Sequence, residues 1–322
     1  MPFLARAGSQ SARLQALYEV WSAGGVGGAF GAALAKGGSD VTFLARGAHL
    51  KAMRERGLKV LGPRGNIHLQ PTKATDDPAS IGEVDVVLFC VKLWDVESAG
   101  ATIRPLVGKT TAVIPLQNGI DASERLIPIL GKDAVMGGVA QISATIAEPG
   151  VIRQTGVFMR LVFGELDGRP SARGTAFHAA CQAAGFDSVN TNEILVALWE
   201  KFVLMGTNSA VASLTRLPFG KLRDDPEVFA LFEKGFAEVT AVGRARGVKL
   251  AADLEEKMLK AMRGFPPEMM PSMTVDLLHG NKLELPWLAG KVVALGRELN
   301  VPTPTYEVMY AALKPYANGA PA

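Results

Sequence analysis

One stretch in the second half of the chain carries polar side chains at a spacing that suits chemistry. Lys201, Met205 and Asn208 fall at positions i, i+4 and i+7, so they share one face of a predicted helix. The rest of that helix is mostly apolar, so an ammonium group and an amide on one stripe need polar partners, such as an anionic, oxygen-rich substrate. The alternative is an exposed stripe with the lysine in water, which is where most lysines lie. The residues alone leave both interpretations open.

A second stretch adds a hydroxyl and a carboxylate. Pro271 and Ser272 are typical of a helix start, and Glu284 lies just ahead of Pro286, which ends or kinks a helix. Ser272 and Glu284 could meet a lysine from another helix. The alternative is a capping role for Ser272 and a surface charge at Glu284.

The first half places ligand-type residues at the ends of predicted strands. The strands are predicted at 17–21, 40–44, 84–91 and 112–116, and the residues that follow them are Gly24, Arg46, Lys92 and Asn118. In an open α/β sheet, ligands bind outside the carboxyl ends of the strands. The four residues therefore predict a binding site at one edge of a sheet, although Asn118 with Gly119 also suits an ordinary turn.

A glycine cluster follows the first of these strands. Ala23, Gly24, Gly25, Val26 and Gly27 lie between a strand and an Ala-rich helix, and a second strand comes next. This order is the βαβ unit that binds dinucleotides, with the pyrophosphate at the start of the helix. Ser22 stands where the G-x-G-x-x-G pattern has its first glycine.

The order of predicted elements gives the fold class. Nearly continuous apolar runs at 84–91, 112–116 and 135–144 predict parallel strands buried on both faces, with further strands at 151–155 and 158–163 and a hairpin over 58–61 and 67–69. Helices are predicted at 193–214, 226–246, 251–262, 272–281, 287–298 and 305–313. We therefore expect an α/β fold with a Rossmann-like domain over 1–190, whose first 16 residues form a disordered extension, and an all-helical domain over 191–322.

Composition limits the classes of partner. The 322 residues include 34 basic and 31 acidic ones, a balance that argues against nucleic acid and a membrane surface. No run of apolar residues reaches the length that spans a bilayer. Cys90 and Cys181 are far apart in apolar surroundings, which indicates reduced thiols and a cytoplasmic protein. The four histidines do not cluster, so no metal site is expected.

These motifs, in their order and spacing, resemble the ketopantoate reductase family (2-dehydropantoate 2-reductase) from about residue 23 to about residue 314. The resemblance implies an NADPH site in the cleft between the two domains. It implies that Lys201 is the catalytic lysine, that Glu284 acts with it, and that Asn118, Asn208 and Ser272 bind the substrate. The cofactor-binding residues that it implies are Ala23, Gly24, Gly25, Val26, Gly27, Arg46, Lys92 and Asn118. Arg46 also suits the 2′-phosphate of NADP because it is a cation.

The implied reaction is NADPH-dependent reduction of ketopantoate to pantoate, in pantothenate synthesis, with a homodimer as one possible assembly. A paralogue that reduces another 2-oxo acid is an alternative, because Met205 and Pro286 stand where many members carry an asparagine and an acidic residue. A non-catalytic nucleotide-binding regulator and a β-hydroxyacid dehydrogenase are further alternatives. The segment 197–200 does not match the Gly-rich turn that precedes the lysine of the β-hydroxyacid dehydrogenases.

Overall fold

The computed structural model describes residues 15–20 and 25–321, and Ala23 and Gly24 of the predicted cofactor site lie outside these ranges. The strands are β1 Gln15–Val20, β2 Asp40–Ala45, β3 Leu58–Leu61, β4 Ile67–Leu69, β5 Ala74–Thr75, β6 Val84–Phe89, β7 Val107–Pro115, β8 Gly137–Glu148, β9 Val151–Gly164 and β10 Asp187–Asn190. β1 includes Gln15 and Ala16, so the last two residues of the predicted extension belong to the fold instead.

The first sheet is parallel and has the order β5-β2-β1-β6-β7. β1 lies in its middle, paired with β2 on one side and β6 on the other. β6 and the second half of β7 are buried along almost their whole length, as the continuous apolar runs predict. The carboxyl ends of these strands therefore form one edge, as a ligand site on a doubly wound sheet requires.

The second sheet has the order β10-β9-β3-β4, and β8 pairs with β9 outside that path. The prediction of a parallel, fully buried strand at 135–144 is wrong, because β8 is antiparallel to β9 and its side chains alternate between exposed and partly buried from Gln141 on. The two strands predicted at 151–155 and 158–163 form the single strand β9. The predicted hairpin is confirmed as the antiparallel pair β3 and β4.

The helix α1, Gly25–Lys36, lies between the two sheets. It packs against β1 and β2 of the first sheet and against β3, β4, β8 and β9 of the second. Nearly all of its residues are buried, which explains a sequence of small residues without a polar face. A Cβ added to Gly25 would lie 2.1 Å from the carbonyl carbon of Ala144, so glycine at this position is required by contact with the main chain of β8. Gly25 thus has a packing cause as well as the ligand-binding cause inferred from the sequence.

The remaining helices are α2 Gly47–Arg56, α3 Val96–Thr102, α4 Ala122–Leu130, α5 Ala172–Ala183, α6 Ile194–Thr215, α7 Phe219–Arg223, α8 Pro226–Ala245, α9 Leu254–Arg263, α10 Ser272–Leu278, α11 Ala289–Glu298 and α12 Pro304–Leu313. The six helices predicted beyond residue 190 are present, but α10 ends at Leu278, six residues before Glu284. The α/β and all-helical fold class is confirmed.

The two parts have separate apolar cores. One large cluster lies around α1 and between the sheets, and another is formed by the helices from α6 onward. In the described part of the chain, α6 has the length and apolar composition of a membrane span. The expectation that no apolar run is long enough to span a bilayer did not take α6 into account. However, 61% of its most apolar window is buried inside the protein, which is typical of a core helix.

Candidate active site

The strand ends of the first sheet carry the N-terminal half of the site. Arg46 follows β2 directly and is exposed at the start of α2. Lys92 follows β6, and Asn118 follows β7 as a half-buried residue. Gly25, Val26 and Gly27 form the first turn of α1, which follows β1. Arg46, Lys92 and Asn118 therefore follow strand ends as predicted from the sequence, while the fourth predicted residue, Gly24, lies outside the described residues.

Gln117 ties the ends of β6 and β7 together. Its Nε2 donates hydrogen bonds to the carbonyl oxygens of Phe89 at 2.9 Å and Val91 at 3.1 Å. These two contacts fix the orientation of the amide, because only an N–H group can face two carbonyls. Its Oε1 is left buried without a hydrogen-bond partner among residues 15–20 and 25–321. A buried, unpaired acceptor at the carboxyl edge of the sheet suits the polar end of a ligand.

The helical part supplies Lys201 from the second turn of α6. Burial lowers the pKa of this ammonium group to about 8, and the nearby Glu284 carboxylate opposes that change. Cys90, at the end of β6, also faces Lys201, but burial raises the pKa of its thiol to about 12. The thiol is therefore neutral at pH 8, and the charge that supports the Lys201 ammonium comes from Glu284. A lysine with this pKa can hold a proton and release it near neutral pH.

Glu284 is held by a contact with the α/β part of the chain. Its side chain is only 6% exposed, and its Oε1 accepts a hydrogen bond of 3.2 Å from the main-chain N–H of Leu93. Burial raises the pKa of Glu284, while the charges of Lys92 and Lys201 and the Leu93 hydrogen bond lower it. The buried carboxylate thus depends on donors and cations from both parts of the protein.

Two residues that were not predicted as site residues also make contacts where the α/β part meets the helical part. Asp276 lies on α10, four residues after Ser272, and its Oδ2 is 3.1 Å from the Nζ of Lys92. The Nζ of Lys92 lies over the ring of Trp94, 5.5 Å from its centroid. A signal for Asp276 was present, because it follows Ser272 by one helical turn and so shares its face.

The remaining predicted residues differ in how deeply they are buried. Ser272 begins α10 and is exposed. Asn208 is fully buried in α6, and both of its side-chain heteroatoms have no hydrogen-bond partner in the described part of the chain. Met205 is partly buried on the same face as Lys201. The structure therefore brings Lys92, Lys201 and Glu284 together, while Ser272 lies on the helix that carries Asp276.

The edge of the sheet fits a nicotinamide dinucleotide. The start of a 12-residue helix has main-chain N–H groups without a partner inside the helix, which can face a pyrophosphate, and Arg46 lies one strand away for a phosphate on the ribose. The unpaired Oε1 of Gln117 is an acceptor at the same edge. The side-chain set contains cations and amides, as an anionic cofactor and a small carboxylate substrate need.

Comparison with known proteins agrees with this architecture. The family model described as ketopantoate reductase PanE/ApbA matches residues 20–168, and its C-terminal counterpart matches residues 193–317. The chain is 27% identical to the uncharacterized oxidoreductase YkpB of Bacillus subtilis, over 92% of this chain and 97% of that one. It is 30% identical to the 2-dehydropantoate 2-reductase of Halobacterium salinarum, over 89% and 94% of the two chains.

A solved structure gives the same result in three dimensions. The crystal structure of a PanE/ApbA family ketopantoate reductase from Ralstonia eutropha superposes with a TM-score of 0.85 at 30% identity, covering 94% of this chain and 97% of that one. The chain therefore belongs to the ketopantoate reductase PanE/ApbA family, a family of NAD(P)-dependent oxidoreductases.

Proposed function

We propose that this protein reduces a 2-oxo acid with NADPH, and that the acid is 2-dehydropantoate, which places the enzyme in pantothenate synthesis in the cytoplasm. The observation that carries the proposal is that the half-buried Lys201 and the buried Glu284 lie close enough for their charges to interact, beside the strand ends that would hold the cofactor. A non-catalytic nucleotide-binding protein has no need for a lysine whose pKa is lowered to about 8 beside a buried carboxylate.

The bound nicotinamide would supply the hydride to the carbonyl carbon of the substrate. Lys201 would stabilise the negative charge that develops on the carbonyl oxygen and give it a proton. Glu284 would accept a hydrogen bond from the substrate hydroxyl and favour the charged form of Lys201. Asn118, Asn208 and Ser272 would orient the substrate, since holding it in the reactive geometry lowers the barrier.

Arg46 favours NADPH over NADH in this proposal. Its guanidinium group is exposed just past β2, where the adenosine ribose of a dinucleotide lies in folds of this class. Gly25, Val26 and Gly27 would face the pyrophosphate, together with Ala23 and Gly24 as predicted from the sequence. Lys92 and Asn118 would lie nearer the nicotinamide end. The homodimer stays a prediction, which the mass of the protein in solution tests.

The direct test is NADPH oxidation with 2-dehydropantoate, with NADH and a panel of other 2-oxo acids for comparison. Lys201→Ala should lower kcat by roughly a hundredfold or more, because it removes the proton donor. In the wild type, kcat/KM should fall as the pH rises through the pKa of Lys201, about 8, since the neutral amine cannot donate. Lys257→Ala, at an exposed site on α9, is the control and should keep the wild-type rate.

A Lys201→Ala variant with near-normal turnover would reject the acid role of Lys201. Reduction of a different acid with much higher kcat/KM would favour the paralogue. If no 2-oxo acid is reduced and NADPH still binds, a non-catalytic role becomes the better explanation.

A further inference from the structure

Two parts of the chain meet at consecutive residues beside Glu284. Lys92 contacts Asp276 through a 3.1 Å ion pair, and the next residue, Leu93, donates its main-chain N–H to Glu284. Lys92 and Leu93 follow β6 in the α/β part, whereas Asp276 and Glu284 belong to the helical part. The Leu93 N–H can therefore hold the Glu284 carboxylate only if residues 92 and 93 are themselves fixed in position.

The third residue of the segment strengthens this anchoring. Trp94 packs against Trp287 with ring centroids 6.3 Å apart, and the Nζ of Lys282 lies 4.8 Å from its ring centroid. Arg125, on α4, donates to the carbonyl oxygen of Leu93 at 2.7 Å. Residues 92–94 therefore form a short bridge between the two parts, with Lys92 as its charged end.

Asp276 is itself fixed in orientation. Its Oδ2 accepts a hydrogen bond from the ammonium group of Lys92, and its Oδ1 accepts one of 3.2 Å from the Nδ2 of Asn281. The side chains of Lys92 and Asp276 are 29% and 23% exposed, so the pair is partly shielded from water. Shielding makes an ion pair worth more than the same pair on an open surface.

We propose that Asp276 is a positioning residue for the reductase reaction: it holds Lys92, and through Lys92 it keeps the Leu93 N–H and the Lys92 charge on Glu284. Asp276 acts through Lys92 and not on the substrate. The part of the inference that concerns turnover rests on the proposed function, whereas the part that concerns the bridge does not.

The charges that face Glu284 allow the direction of its pKa change to distinguish between two roles for Asp276. Lys92 and Lys201 are the cations that lower its pKa, and Asp276 is the anion that raises it. Cys90, which faces Lys201, is neutral over the working pH range. If Asp276 acted only by its own charge, its removal would lower the pKa of Glu284. If Asp276 holds Lys92 in place, its removal releases Lys92 and the pKa of Glu284 rises.

The variant to measure is Asp276→Asn, which keeps the size of the side chain. We expect the acid limb of kcat/KM to move to higher pH by about one unit, because Glu284 loses a nearby cation and a hydrogen bond. Glu284→Gln assigns that limb, which should be absent in this variant. Glu124→Gln is the matched control, because it also removes an ion pair between the two parts, with Arg246, away from Glu284.

A second readout needs no substrate. Hydrogen exchange of the Leu93 amide, followed by mass spectrometry of a peptide that covers residues 92–95, should become at least about fivefold faster in Asp276→Asn and stay unchanged in Glu124→Gln. Asn281→Ala, which releases only one carboxylate oxygen, should give an intermediate rate and serves if Asp276→Asn folds poorly.

Unchanged exchange at Leu93 in both Asp276→Asn and Asn281→Ala would overturn the inference, whichever substrate the protein uses. An acid limb that moves to lower pH would also overturn it and leave Asp276 with a direct charge effect alone. If wild-type protein turns over no 2-oxo acid while exchange at Leu93 still responds, the proposed function fails and the bridge stands.

Discussion

At the scale of single residues, the site is built from polar groups that the fold alone does not need. Lys201 is half-buried and Glu284 is buried. Asn208 and Gln117 bury heteroatoms without partners in the described residues. Each unpaired buried group costs stability that a ligand could recover. Residues of this kind are expected where function and stability conflict.

Asn208 gives a prediction at this scale. Asn208→Leu should raise the free energy of unfolding by about 1 kcal/mol, because it removes two unpaired polar atoms at similar volume. If the amide binds the substrate, the same change should raise KM for the 2-oxo acid by about tenfold. Urea unfolding and steady-state kinetics measure the two effects.

Thr240→Val is the matched control for Asn208→Leu. The hydroxyl of Thr240 is also fully buried and unpaired in the described part of the chain, but it lies on α8 and is not a predicted ligand. We expect similar or higher stability and an unchanged KM. An Asn208→Leu variant with wild-type KM would show that the amide does not bind the substrate.

At the scale of elements, α1 has little freedom to change, because two of its glycines lie against neighbouring strands. Gly25 meets the main chain of β8, and a Cβ added to Gly28 would lie 1.9 Å from the Cδ1 of Ile152 on β9. The first neighbour is rigid and the second is the end of a side chain. A second substitution that shortens the neighbouring side chain should therefore relieve Gly28→Ala, whereas none can remove the main-chain atoms that Gly25→Ala would meet.

Gly28→Ala should lower the free energy of unfolding by about 1–3 kcal/mol through overpacking. Adding Ile152→Val, which deletes Cδ1, should recover most of that loss, although Ile152→Val alone costs about 0.5–1.5 kcal/mol. Gly264→Ala, at the end of α9 where the nearest atom is 3.4 Å away, should change stability little. Simple addition of the two single effects would argue against the contact.

The sequence predicted elements better than their pairing. The run 135–140 is apolar and buried, so it suits a parallel core strand, but β8 continues to Glu148 with alternating burial. The turn at Pro149 and Gly150, where Gly150 has φ +83°, was the signal for an antiparallel hairpin with β9. Lys201 and Glu284 could be proposed from spacing and resemblance. The Leu93 N–H could not, because a main-chain donor leaves no mark in the residue types.

At the scale of the whole molecule, ion pairs join two separate apolar cores. Lys92 pairs with Asp276, and Lys291 of α11 pairs with Asp121 at 3.2 Å. Asp121 is only 6% exposed and directly precedes α4, so its carboxylate depends on Lys291 more than a surface group would. The junction is also apolar in part, since Val139 and Val162 of the second sheet pack with Ile194 of α6.

Lys291→Met should lower the free energy of unfolding by about 1–3 kcal/mol, because it leaves the buried Asp121 carboxylate with Arg125 alone, 3.8 Å away. Lys257→Met, which breaks an exposed pair with Asp253, should cost less than about 1 kcal/mol. Asp121→Asn added to Lys291→Met should restore part of the loss. Equal small losses in the two lysine variants would show that burial of Asp121 is unimportant.

The position of α1 between two sheets has a consequence for redesign. Because α1 is packed on both sides, Gly25, which would face a pyrophosphate, cannot be varied without disturbing the main chain of β8. Arg46, by contrast, is exposed at the end of β2. An attempt to exchange one nicotinamide cofactor for the other, in the laboratory or in evolution, should therefore succeed at the rim of the site and fail at the helix beneath it.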